Sequence, residues 1–281
     1  MLKKTIAISL TTFIFACSNN TTTSTEQNTG TDTAKKETPA EQLNEFADFE
    51  FHSLVINIPS PFEVIGKLAK SNFAYDNTLP NPTSNASKYA TSSSKAMNYG
   101  VYIVDLIYLS TNEQYVGVKD YFITTREFAK SLQCEESFDK LAGKSLEKNI
   151  DNKDTINKVI DAVFVEMDSY LRNNDRLITA TEILVGSWVE SQYITTKTIK
   201  DAEQNDANAV LFKKIGEQKF TADKLAEILK QFEKEKELKS IIAEVSNLQK
   251  VYGEYKEGAL TKDYLNKVYK SLESARTKIT K

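Results

Sequence analysis

The distribution of proline is the feature that most constrains the fold. All five proline residues lie at or before Pro82, so the last 199 residues of this 281-residue chain contain none. Proline breaks helix interiors, and its absence permits long helices. In the same stretch apolar residues recur at intervals of three and four, and no convincing alternating strand pattern or Asn-Gly turn appears. The pattern predicts an all-α fold, a multi-helix bundle of about seven to nine helices.

Caps, breaks and apolar stripes predict where the helices lie. Ser60-Pro61-Phe62-Glu63 has the residues of a capping box with proline at the first helical position, which predicts a helix to about Ser71. The other predicted helices of the central region span about 93–110, 112–132, 153–171, 176–199 and 206–232. The helix at 93–110 is apolar on nearly every side, which is expected of a helix at the centre of a fold.

The last two helical segments form a pair. Two apolar stripes with heptad-like spacing, the first from Leu238 to Tyr255 and the second from Leu265 to Ile279, are joined by a short connection flanked by Gly253 and Gly258. Such an arrangement predicts a C-terminal antiparallel helical hairpin over 238–279. We consider this hairpin a candidate surface for a protein partner.

The N-terminus has the features of a lipoprotein signal peptide. Residues 1–16 combine Lys3 and Lys4 with an apolar run that is too short to span a bilayer. Cys17 follows directly, and a cysteine at this place resembles the lipobox of bacterial lipoproteins, where it carries acyl chains such as palmitate. Two or three acyl chains on one residue anchor a protein stably. The alternative is an ordinary cleaved secretory signal with an incidental cysteine.

Residues 17–42 are predicted to form a disordered, lipid-anchored tether. After Cys17 they contain no aromatic residue and no Leu, Ile, Val or Met, so they cannot bury enough apolar surface to become ordered. Residues 43–281 then form a single all-helical domain. We expect attachment to the cell envelope, at the outer membrane. In some bacterial lipoproteins an acidic cluster directly after the cysteine directs export to the cell surface. Here Ser-Asn-Asn-Thr follows Cys17, which favours the side that faces the periplasm.

Composition excludes several kinds of site. The single histidine, His52, and two cysteines exclude histidine-cluster metal sites, thiolate zinc sites and iron–sulfur clusters. No glycine-rich nucleotide-binding motif is present. Removal of residues 1–16 takes away two lysines, so 34 basic and 39 acidic residues leave a net charge of −5, which does not favour nucleic acid. We therefore assign no cofactor, no metal and no catalytic residue.

Asp105 is the first candidate site residue. It is the only charged residue in 101–109, and a buried carboxylate must be paired, hydrogen-bonded or neutral. One interpretation is an acid that binds a ligand or transfers a proton. The other is a structural partner for a basic residue, a tyrosine or a helix N-terminus.

Trp188, Glu190 and Tyr193 form the second candidate group. They lie within two helical turns and include the only tryptophan of the chain. Such a group is able to line a polar ligand pocket. Alternatively these residues pack between helices, with Gly186 allowing a close approach.

Several motifs in the middle of the chain resemble those of a known family. They are Lys88-Tyr89, Lys95-Ala-Met-Asn-Tyr-Gly-Val-Tyr102 with Asp105-Leu106, Glu166-Met-Asp-Ser-Tyr-Leu171, Gly186-Ser-Trp-Val-Glu190 with Tyr193, and Glu217-Gln-Lys219. With them the region 55–250 resembles an uncharacterised family of all-helical lipoproteins from Bacteroidetes. The resemblance implies lipidation, an envelope location and an all-helical fold, and it assigns no activity.

Three functional hypotheses follow. The first is an envelope lipoprotein with a non-enzymatic binding or scaffolding role towards another envelope component. The second is a periplasmic protein that binds or senses a small ligand through Asp105, Trp188, Glu190 and Tyr193. The third is a carboxylate-dependent hydrolase of envelope polymers, which requires two acids about 5–10 Å apart across a cleft.

Overall fold

The computed structural model describes residues 60–136, 138–140, 142, 152–173, 176–256 and 260–281. The predicted signal peptide, the lipidation site Cys17, the predicted tether and His52 lie outside the described residues. The described part contains eight α-helices and no strand. The all-helical bundle is therefore confirmed, and the number of helices falls within the predicted range.

The helices are close to the predicted segments. In chain order they are α1 (Pro61–Ala69), α2 (Ser92–Thr111), α3 (Tyr115–Ser131), α4 (Lys153–Asn173), α5 (Leu177–Ile199), α6 (Ala209–Gln231), α7 (Lys239–Gly253) and α8 (Lys262–Ile279). The predicted loop before α2 contains one further element, a 3₁₀ turn at Thr83–Lys88. No helix in the described ranges combines the length and the apolar character needed to cross a membrane.

Helices α2 and α5 form the centre of the bundle and are buried on nearly all sides. They run side by side in the same direction, and two glycines allow their backbones to touch. A Cβ atom on Gly186 would lie 2.0 Å from the Met97 carbonyl oxygen, and one on Gly100 would lie 2.2 Å from the Ile183 carbonyl oxygen. No other residue fits these positions without separating the helices. Gly186 therefore serves the close helix packing that its sequence position suggested.

The beginning of α2 is defined by a capping box that the sequence analysis did not identify. The Thr91 hydroxyl accepts a hydrogen bond from the Ser94 backbone N–H at 3.0 Å, and the Ser94 hydroxyl accepts one from the Thr91 N–H at 3.1 Å. These bonds satisfy two backbone donors that a helix start otherwise leaves free. They place the first residue of α2 one position before the predicted start.

The C-terminal hairpin is present, and its apolar stripe faces the rest of the bundle. Helix α7 packs against α6 and α8, and α8 packs against α5. Except for the half-buried Tyr255, the residues of the two stripes are at most 3% exposed, including Ile241, Val245, Leu248, Val268 and Leu272. This stripe is thus already covered. A protein partner at 238–279 would have to contact the outer, polar face of the hairpin.

Candidate functional site

The centre of the bundle contains two acids and one arginine from three different helices. Glu190 on α5 forms a two-point ion pair with Arg276 on α8, with 2.7 Å from Nε to Oε2 and 2.9 Å from Nη2 to Oε1. The Glu190 side chain is fully buried and that of Arg276 is 17% exposed. Two-point pairing of this kind is the strongest geometry for a guanidinium and a carboxylate.

Asp105 on α2 lies next to this pair and is fully buried. Its Oδ2 accepts a hydrogen bond from the Asn81 backbone N–H at 2.9 Å. Burial, and then the neighbouring Glu190 carboxylate, raise the pKa of Asp105 well above its ordinary range, although Arg276 and the Asn81 N–H oppose the shift. The neutral form of Asp105 is thereby favoured beside the Glu190–Arg276 ion pair. We call Asp105, Glu190 and Arg276 the core cluster.

Arg276 also connects the core cluster to the loop before α2. Its Nη2 donates a second hydrogen bond, to the Leu79 carbonyl oxygen at 2.8 Å. Burial acts to lower the pKa of Arg276, but the adjacent Glu190 carboxylate raises it overall, so the guanidinium stays charged. Through Arg276 and Asp105 the loop at 79–81 is tied to α2, α5 and α8 at once.

Tyrosine hydroxyls hold the same loop from the other side. The Tyr102 hydroxyl donates to the Pro82 carbonyl oxygen at 2.8 Å, and the Tyr121 hydroxyl donates to the Asn81 carbonyl oxygen at 3.0 Å. The Tyr89 hydroxyl accepts from the Asn81 side-chain amide at 2.9 Å. Burial raises the pKa of all three phenols, so they remain neutral. These hydrogen bonds therefore hold the segment 79–82 against the helices.

Tyr193 extends the core cluster towards the surface. The Arg276 guanidinium carbon lies 4.4 Å from the centroid of the Tyr193 ring, a cation–π contact. Tyr193 in turn stacks on Tyr269 with 5.9 Å between centroids, and the Lys197 amine lies 4.9 Å from the Tyr269 centroid. The antiparallel helices α5 and α8 thus share a column of alternating charged and aromatic groups.

Trp188 lies apart from this column. Its Nε1 donates a hydrogen bond to Oε1 of Gln218 on α6 at 2.9 Å, and its ring lies 5.9 Å from that of Tyr252. Only 3% of Trp188 is exposed. The structure therefore brings together three of the four predicted site residues, and it places Trp188 in a separate contact between α5 and α6. A common ligand role for the four residues stays a prediction that this geometry does not favour.

The positions of Asp105 and Glu190 also disfavour the hydrolase hypothesis. A glycosidase-type mechanism uses two acids that face each other across a cleft with room for substrate and water. Asp105 and Glu190 have no exposed surface and are engaged by Asn81 and Arg276. As an acid pair they are inaccessible to a polymer.

Arg276 is the site residue that the sequence reasoning missed. Glu190 and Arg276 are 86 positions apart, so no local pattern relates them. One signal was nevertheless available. Of 36 Lys and Arg residues only four are Arg, namely Arg126, Arg172, Arg176 and Arg276. In a lysine-rich chain, arginine marks positions where its planar, forked geometry is needed, for example in buried ion pairs.

Glu182 on α5 is a second missed acid. It is only 4% exposed, and no ion pair to it is found in the part of the chain that the structure describes. Burial, with a further contribution from Glu237, raises the pKa of Glu182 to about 7, while the Ser93 hydroxyl opposes the shift. Its titration near neutral pH makes the stability of the fold depend on pH.

The surface contains an open groove where α2 ends and α3 begins. It has a volume of about 860 Å³ and lies between the segments 74–77 and 113–117. Its lining residues are Ala74, Tyr75, Asp76, Asn77, Leu109, Glu113, Gln114, Tyr115, Val116 and Gly117. We call it the Tyr75–Tyr115 groove. A second depression, of about 570 Å³, lies farther along α3 and includes Phe122, Ile123 and Arg126.

Comparison of the chain with protein families, with curated proteins and with solved structures found no match.

Proposed function

We propose that this protein is a lipoprotein of the cell envelope with a non-enzymatic binding role. Cys17 carries the lipid anchor, at the outer membrane facing the periplasm, and the helical bundle binds another envelope component. The observation that supports this proposal is a contrast in access to solvent. The buried acids are engaged by the Asn81 backbone N–H and by Arg276, whereas the surface around α3 is open and contains grooves.

The exposed side chains of α3 indicate where a partner binds. Val116 is 90% exposed and Ile123 is 46% exposed. They are seven residues apart and so lie on the same face of the helix, next to both depressions. Exposed apolar side chains beside a groove are typical of surfaces that a partner covers. The binding surface is therefore assigned to α3.

Cross-linking in cells, followed by affinity capture of the full-length protein, tests this role. Three variants are compared with the native chain: Cys17→Ala, Val116→Asp with Ile123→Asp, and Phe220→Asp. The last changes a side chain that is 73% exposed on α6 and serves as the matched control. A partner should be captured by the native chain and by the control, and lost from the other two. Capture that depends on neither Cys17 nor α3 would contradict the proposal.

A version of the proposal in which the partner binds the 238–279 hairpin needs a different test. Changes at Ile241 or Val245 would disrupt the core, because these side chains are 3% and 0% exposed. Ala243 and Lys250 are exposed on the outer face of α7. Ala243→Arg with Lys250→Glu should abolish capture if the hairpin is the partner surface, and should leave the thermal midpoint unchanged.

Binding of a small ligand is the second candidate function. The observation that favours it is the Tyr75–Tyr115 groove, whose volume falls within the range of ligand sites in proteins. This groove differs from the site expected at Asp105, Trp188, Glu190 and Tyr193, because none of those residues lines it.

A further inference from the structure

We propose that the Tyr75–Tyr115 groove binds a neutral oligosaccharide. This inference builds on the proposed binding role and names the chemical class of its ligand. A chain of hexopyranose rings has flat C–H faces that are apolar and a rim of hydroxyl groups that both donate and accept hydrogen bonds. The groove has apolar side chains that match the C–H faces and polar side chains that match the hydroxyl groups.

The apolar part of the groove is formed by two tyrosines and a leucine. Tyr75 and Tyr115 are half-buried, so each ring keeps some accessible surface, and Leu109 lies buried beneath them. Aromatic rings of this kind provide rigid, amphipathic contact area with little loss of side-chain entropy. They supply platforms on which the C–H face of a sugar ring packs.

Both walls of the groove are held in place before any ligand binds. The Tyr75 ring contacts the Tyr108 ring with 5.2 Å between centroids, and the Tyr108 hydroxyl accepts a hydrogen bond from the Asp76 N–H at 3.0 Å. On the other side Glu113 has a φ of 60°, and the Gln114 N–H donates to the Leu109 carbonyl oxygen at 3.0 Å. Such preorganisation lowers the entropic cost of binding.

Four planar polar side chains line the groove: Asp76, Asn77, Glu113 and Gln114. Carboxylates accept hydrogen bonds from hydroxyls, and amides both donate and accept them. Asn77 is exposed, and its side chain makes no hydrogen bond within the described part of the chain. Gln114 uses its amide nitrogen on the Asn112 carbonyl oxygen at 2.9 Å, and its side-chain oxygen is an additional acceptor. This rim suits a ligand that is rich in hydroxyls.

The charge of the lining disfavours an anionic ligand. Two carboxyl residues and no Lys or Arg line the groove. Hydrogen bonds from Thr78 lower the pKa of Asp76, which is therefore ionised. A cationic ligand is the competing class. The test below therefore includes a cationic probe. The volume of about 860 Å³ lies within the usual range of ligand sites and exceeds that of a single small amine.

Saturation-transfer NMR on the full-length protein, held in a detergent without a sugar headgroup, tests the proposal. The probes are three neutral hexasaccharides, namely cellohexaose, maltohexaose and the hexamer of N-acetylglucosamine, with tetralysine as the cationic comparison. We expect saturation of ring protons in at least one hexasaccharide. Transfer to none of the three at millimolar concentration, or transfer to tetralysine alone, would overturn the proposal.

Variants then assign the site. Tyr115→Ala and Asn77→Ala should each weaken hexasaccharide binding about tenfold, because each removes a direct contact. Phe220→Ala, which removes an exposed ring on α6, is the matched control and should bind as the native chain does. Thermal unfolding shows whether each variant is folded. Unchanged binding by both groove variants would show that the groove is not the site.

The outcome separates this inference from the broader proposed function. Shortened saccharide products would retain the oligosaccharide site and refute the non-enzymatic role. Absence of saccharide binding, combined with a cross-linked partner that depends on Val116 and Ile123, would retain the binding role and refute the oligosaccharide.

Discussion

The core cluster and the Tyr75–Tyr115 groove each contain two acids, and the two regions use them in opposite ways. In the core cluster Asp105 and Glu190 have no exposed surface, and burial raises the pKa of Asp105. In the groove Asp76 lies at the surface, and hydrogen bonds from Thr78 lower its pKa. The same type of side chain is thus enclosed by the fold in one region and lies at the surface in the other.

The difference follows from what each acid contacts. An acid in the core needs a proton or a fixed cation, because water cannot solvate its charge. Arg276 provides that cation for Glu190, and the raised pKa of Asp105 favours its neutral form. An acid at the surface keeps its solvation and needs no buried cation. A perturbed pKa of a buried acid therefore does not by itself indicate a binding site.

The largest expected effect comes from the glycines that bring α2 and α5 together. Gly186→Ala should destabilise the protein by about 4 kcal/mol or more, since its Cβ would meet the Met97 carbonyl oxygen at 2.0 Å and neither backbone can yield easily. Gly66→Ala is the matched control, because no atom lies within 4 Å of the position its Cβ would take. It should be neutral or raise stability by about 0.5–1 kcal/mol. Urea unfolding measures both, and equal effects would contradict the close approach.

Removal of the buried cation is expected to have the next largest effect. Arg276→Met leaves the Glu190 carboxylate buried without a partner, which should cost about 3–5 kcal/mol of unfolding free energy. Combining it with Glu190→Gln should recover most of this loss, because no buried charge then remains unpaired. A double-mutant cycle by chemical denaturation measures the coupling. A loss of less than about 1 kcal/mol for Arg276→Met would show that the pair is solvated.

The pH dependence of stability provides the third test. The pKa of Glu182 is raised from 4.5 to about 7, so the native state binds more protons than the unfolded state between these values. Stability from this residue is therefore fully present below pH 4.5 and is lost as pH rises towards 7 and beyond, by roughly 3 kcal/mol. The raised pKa of Asp105 acts in the same direction.

Glu182→Gln should reduce this loss, so that the variant becomes progressively more stable than the native chain from pH 5 to pH 8. Glu227→Gln replaces an acid whose side chain is 59% exposed, and it should leave the pH profile unchanged. The measurement is the unfolding free energy of the native chain and of both variants at four pH values between 5 and 8. A constant difference between Glu182→Gln and the native chain would mean that Glu182 ionises normally.

The smallest effects on stability are expected in the groove. Val116→Ser changes a side chain that is 90% exposed and should alter the unfolding free energy by less than about 0.5 kcal/mol. Tyr115→Ala should cost less than about 1 kcal/mol, since its ring is only half-buried. Thermal and urea unfolding measure both changes. A loss comparable to that of Arg276→Met would indicate that the groove is part of the structural core.

The sequence by itself determined the elements of this fold. Apolar spacing and the absence of proline after Pro82 predicted an all-helical bundle, its approximate number of helices and the C-terminal hairpin, and the structure confirms these. The fold was predicted for a physical reason. These inferences succeed because helix formation, caps and periodicity depend on residues that are close along the chain.

Only the tertiary structure decided which residues meet. It paired Glu190 with Arg276, turned Trp188 towards Gln218, covered the apolar stripe of the hairpin and formed the groove from the segments 74–77 and 113–117. Each of these relations joins positions that are far apart in sequence. The physical reason is that the contacts arise when helices pack, and the spacing of residues within one helix carries no information about its neighbours.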